Sequence, residues 1–80
     1  MKIKLSRHSK NNMRLYKISE RDILITIRNP DVKAEETGKT TSLKKIPHRF
    51  SGYPLKVIYT IKEKEIFVIT VYPLKKKIWR

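Results

Sequence analysis

The sequence predicts an α+β fold in which two N-terminal helices pack on one face of a four-stranded antiparallel sheet. Three observations carry that expectation. Apolar residues recur at helical spacing only as far as Arg28. Beyond Pro30 the period shortens to two, and the segments that follow are rich in β-branched and aromatic residues. Short turn segments, Thr37-Gly38-Lys39 and Lys62-Glu63-Lys64, divide them.

Ser6 is placed to cap a first helix running to about Lys17, with Ser9, Met13 and Tyr16 on one stripe and His8, Asn12 and Leu15 on the next. Its apolar face is thin. The second helix has a stronger start: Ser19 with Asp22 three residues on makes a capping-box pair, and Ile18 and Ile23 flank it as a hydrophobic staple. Ile23, Leu24 and Ile27 give it a buried stripe. It ends at Arg28 or Asn29, because Pro30 disfavours helical geometry in the residue before it.

Strands are expected over 32–36, 41–49, 54–61 and 65–72, with the two turns short enough for antiparallel hairpins. The last two are apolar on both parities, from Leu55 to Ile61 and from Ile66 to Val71, which calls for cover on both faces or for a partner. Pro47 cannot donate to a ladder and assigns its strand to an edge. If Ile46 turns toward the helices, Lys45 and Arg49 turn toward the free face.

Composition bounds the function. Twenty Lys and Arg against seven Asp and Glu leave the 80 residues at +13. The stretches 1–17 and 37–62 contain no acid at all. Self-repulsion of this size points to a polyanionic partner, because neutralising phosphates releases condensed counterions. A hydrophobic content of 39% with two Gly predicts one folded domain over 1–80 rather than a basic tail. The absence of Cys excludes disulfides and thiolate metal sites and fits a reducing cytoplasm. No apolar run approaches the roughly 18 residues of a membrane span, and the start lacks a secretory signal pattern. A zinc site, a two-metal nuclease centre and a Gly-rich phosphate loop also lack their ligands, so no metal or cofactor is expected.

Asn12-Met13-Arg14-Leu15-Tyr16-Lys17-Ile18-Ser19 resembles the Asn-x-x-Lys-His-Gly-Val-Ser segment joining the first two helices of BrnT-like toxins, ribonucleases of the RelE-like superfamily. Ser6-Arg7-His8-Ser9, the Ile18-Ser19 helix start, Asn29-Pro30-Asp31 and Val68-Ile69-Thr70-Val71-Tyr72-Pro73 are closer still to a related small family without an assigned function. The departures bear on activity. Leu15-Tyr16-Lys17 stands where BrnT-like proteins have Lys-His-Gly, Tyr72 where their last strand ends in Arg, and Asn12 where an Arg usually precedes Met. The resemblance implies a RelE-like fold, an RNA substrate and an acidic antitoxin as partner, in a toxin–antitoxin hetero-oligomer or as a free homodimer.

RNA cleavage without metal needs a base for the 2′-hydroxyl proton, an acid for the leaving oxygen, and cations for the phosphorane. The chain is rich in the cations. Lys45, Arg49, Lys75 and Lys76 are the candidates for phosphate. His8, at a position where the resembling family has His, and Tyr72, a strand-end phenol beside lysines, are the candidates for proton transfer. His48 and Tyr59 are read as surface and core residues, and Trp79 as a base-stacking or docking residue of the basic tail. Three functions follow: a toxin-like metal-independent endoribonuclease, a non-catalytic RNA- or DNA-binding module, and a small interaction protein with an acidic partner.

Overall fold

A computed structural model of the chain describes residues 2–75. The chain runs β1 (Lys2–Leu5), α1 (Arg7–Tyr16), α2 (Glu20–Arg28), β2 (Val32–Glu36), β3 (Lys39–Lys44), a short 3-10 turn (Phe50–Gly52), β4 (Leu55–Lys62) and β5 (Glu65–Pro73). The sheet order is β1-β5-β4-β3-β2.

This corrects the expected four-stranded antiparallel sheet. The sheet has five strands and is mixed, because β1 lies parallel to β5 with Ile3 opposite Ile66 and Leu5 opposite Val68. The fold remains α+β. Lys2-Ile3-Lys4-Leu5 alternates over only 4 residues, too short to register as a strand by pattern. Its pairing is long-range, so no hairpin turn announces it and no turn forces it to be antiparallel. A second correction concerns Pro47. β3 lies between β2 and β4 rather than at an edge, and it stops at Lys44, before the proline can break a ladder.

The helix signals act as their chemistry requires. Ser6 Oγ accepts from the Ser9 N–H, and Ser19 and Asp22 exchange both bonds of a capping box. Ile18 and Ile23 are buried together with Leu55, Val57, Tyr59, Ile66, Val68 and Val71. Within the stripe of α2 the fully buried neighbour of Ile23 is Thr26, whose hydroxyl donates to the Asp22 carbonyl at 2.8 Å, while Leu24 is half-buried.

Pairing with β1 ends at Val68, and the exposed carbonyls of β5 are then taken over by α1. Ser6 donates through its backbone N–H to Val68 O and through its hydroxyl to Ile69 O. Ser9 Oγ donates to Val68 O at 3.1 Å and Asn12 Nδ2 to Val71 O at 3.1 Å. The thin apolar face of α1 thus has a cause: its third-residue rhythm of Ser6, Ser9 and Asn12 closes a sheet edge. A register shift at Ile58/Tyr59, across from Ile69, lies in the same region of β5.

Candidate nucleic-acid interface

The helices cover one face of the sheet. Buried residues alternate along β4, with Leu55, Val57 and Tyr59 facing the helices and Lys56, Ile58 and Thr60 facing away. Cross-strand register carries that open face to Phe67, Thr70 and Tyr72 of β5 and to Thr41 and Leu43 of β3. Phe67 is 40% exposed. The two-sided apolar character of β4 and β5 therefore has helical cover on one side and none on the other within the described chain.

Tyr72 lies on this open face, half-buried, opposite Lys56, whose ammonium is 5.6 Å from the centre of its ring. His8 lies elsewhere. It is exposed on α1, with Nε2 3.4 Å from Asn12 Nδ2, and no hydrogen bond joins it to Tyr72 among the described residues. The structure thus does not bring the two proton-transfer candidates into one acid–base pair.

The phosphate candidates are also dispersed. Lys45 is exposed one residue past β3, its backbone N–H donating to Asp31 Oδ2 at 2.8 Å. Arg49 does not reach the free face. Its guanidinium turns to the helices and donates to Asp22 Oδ2 and, at 2.9 Å, to the Lys17 carbonyl. Parity misplaced it because strand geometry ends before Pro47, so alternation no longer applies. Lys75 lies on the helix side, 5.8 Å from the ring centre of Tyr16. Lys76, with Lys77 and Trp79 of the basic tail, lies outside the described residues.

Lys75 borders a cleft that the sequence did not reveal. Tyr16, Phe50, Ser51, Tyr53, Pro73 and Lys75 line a depression of about 320 Å³. A second, of about 270 Å³, adjoins it through Tyr16, Phe50 and Ser51 and adds Lys17, His48 and Arg49. The loop forming its wall is left-handed at His48, Phe50, Ser51 and Gly52. No side-chain pattern encodes that conformation, and only Gly52 hints at it. Arg49 holds the loop in place, its guanidinium also lying 4.9 Å from the centre of the Phe50 ring.

Among the described residues no group of three or more His, Asp or Glu is placed to hold a metal ion, and no helix is long and apolar enough to cross a membrane. Residues 5–73 match the family described as Domain of unknown function (DUF4258). The chain belongs to this family. The matched DUF4258 region runs from the end of β1 through β5, and so contains both helices, the open face and most of the cleft. The match shows this small family and gives no evidence of membership of the RelE-like or BrnT-like superfamily. No curated protein and no solved structure matches the chain.

Proposed function

We propose that the protein binds single-stranded RNA and cuts it without a metal, as a toxin-like endoribonuclease. The observation that carries this reading is the uncovered sheet face with Tyr72 and Lys56 side by side, within a chain of net charge +13. The resemblance to RelE-like and BrnT-like toxins supports it, since RelE-like nucleases work with Tyr, Arg and Lys rather than a metal.

In this chemistry the 2′-oxygen attacks the adjacent phosphorus as its proton passes to solvent. The bond from phosphorus to the 5′-oxygen breaks, giving a 2′,3′-cyclic phosphate. Tyr72 donates its phenolic proton to the departing 5′-oxygen and regains one from water, while the Lys56 ammonium offsets charge on the phosphorane. Ile58, next along the same face, and Phe67, farther along it opposite Thr60, supply apolar surface for unstacked bases. An acidic antitoxin covering the same face would satisfy both its lysines and its exposed apolar residues.

The separation of His8 from Tyr72 favours a second reading, a non-catalytic RNA- or DNA-binding module using the same cations. One assay divides them. The purified chain, freed of co-purifying protein, is incubated with labelled single-stranded RNA in EDTA and the product ends are mapped. Discrete cuts ending in 2′,3′-cyclic phosphate are expected. Tight, salt-sensitive binding with intact RNA would leave the binding module alone standing.

A further inference from the structure

We propose that the cleft between the end of α1 and the 46–53 loop holds one unstacked nucleotide of a bound RNA strand, its base against aromatic rings and its phosphate among Lys17, His48 and Lys75. This rests on the RNA reading but on a different surface from Tyr72.

Three features of the cleft select this ligand. Its walls carry three aromatic side chains, Tyr16, Phe50 and Tyr53, all half-buried, so their rings are anchored while still reachable. Stacking on such rings accepts any base, because every base has a π-face. Lys17, His48 and Lys75 are exposed at its rim, and neither depression is lined by an acid. The contrast with the open face is instructive. A depression of about 310 Å³ there is lined by Lys4, Lys62 and Phe67 but also by Glu63 and Glu65, whose carboxylates cancel the lysine charge, Glu65 by pairing with Lys4 at 3.3 Å. Size fits as well, since both depressions of the cleft lie near the lower end of small-ligand sites, about 300–1,000 Å³.

The backbone gives a further reason. Left-handed φ at three non-glycine positions of one loop, 63° at His48, 55° at Phe50 and 53° at Ser51, costs stability that packing must offset. The offset comes from Arg49, which is spent on Asp22, Lys17 O and the Phe50 ring. That division of labour leaves Arg49 as the brace and the neighbouring Lys17, His48 and Lys75 as the groups facing a ligand. A cleft preformed in this way does not have to order its rings when a base enters.

The test uses the full chain and a uridine-rich single-stranded RNA carrying one 4-thiouridine, irradiated at low salt, followed by peptide mapping. Crosslinks at Tyr16, Phe50 or Tyr53 are expected. Lys75→Ala, at an exposed position, should weaken binding with an unchanged urea midpoint, and His48→Gly, which suits the left-handed φ of 63°, should weaken binding without lowering the midpoint. Lys75→Ala should also flatten the salt dependence by about 0.7 in log–log slope, the share of one phosphate contact on a single strand. Crosslinks confined to Phe67 and Tyr72, with affinity indifferent to Lys75 and His48, would overturn the cleft while leaving RNA binding intact. Loss of all binding at low salt in the wild type would overturn both.

Discussion

Arg49 Nη2 lies 2.5 Å from Asp22 Oδ2, joining the loop after β3 to the first turn of α2. Asp22 is the better-buried partner, its side chain 10% exposed against 41% for Arg49, and the same carboxylate accepts the Ser19 N–H of the capping box. One anion therefore holds a helix start and a loop at once. Removing the guanidinium leaves a largely desolvated carboxylate with one fewer donor.

Arg49→Ala should cost about 1–3 kcal/mol, the penalty of one unsatisfied buried group and less than that of breaking a fully buried pair, because Arg49 is partly solvated. Arg49→Lys should recover only part of this: both bonds leave the single nitrogen Nη2, held there by a planar guanidinium that also lies over the Phe50 ring, and a compact ammonium on a shorter side chain does not reproduce that placement. Urea unfolding of the three proteins measures it. An unshifted midpoint for Arg49→Ala would mean that the contact contributes nothing in solution.

Lys17 ends α1 in the left-handed conformation, φ 56°, with its own N–H and that of Ile18 returning to Met13 O. Helices of this ending place Gly there, and the resembling BrnT-like segment does so. Lys17→Gly should therefore stabilise the fold by about 0.5–1 kcal/mol, the relief of side-chain strain exceeding the extra freedom Gly gives the unfolded chain. The same variant should weaken RNA binding if the cleft holds a phosphate. Thermal unfolding and RNA titration of one protein read the two effects with opposite sign.

The parts of this fold visible in the sequence are those set by local chemistry. Ser19 with Asp22 and Pro30 define α2 to within a residue, and Thr37-Gly38 and Glu63-Lys64 mark both hairpin turns. What escaped was set by distant partners. β1 has meaning only against β5, and Ser6, Ser9 and Asn12 look like an indifferent helix face until the carbonyls of Val68, Ile69 and Val71 are opposite them. Arg49 was misplaced for the same reason, since its role depends on Asp22, which is far away in the chain. In the cleft, Tyr16, Phe50 and Tyr53 gave no shared pattern, because two connections and a strand end converge there.

Ser42 is a local rule broken inside the core. It faces the helices opposite Val57, is fully buried, and its hydroxyl finds no hydrogen-bond partner among the described residues. Ser42→Ala removes a desolvated polar atom at the expense of a very small void, so a gain of about 1 kcal/mol is expected. A melting temperature lowered by the substitution would show that the hydroxyl is satisfied in solution.

Tyr72→Phe separates cleavage from binding most cleanly. The ring and its contact with Lys56 remain, so affinity for single-stranded RNA should be unchanged. Only the phenolic proton is lost, and with it a general acid worth on the order of 10²–10⁴ in rate. Lys56→Ala should act differently, lowering both affinity and cleavage because it removes charge from the strand as well as from the transition state. Single-turnover cleavage in EDTA, run beside equilibrium titration, distinguishes the two patterns. Equal cleavage by wild type and Tyr72→Phe would remove Tyr72 from the chemistry, and an affinity loss in Tyr72→Phe that matches its cleavage loss would make the hydroxyl a binding group rather than an acid.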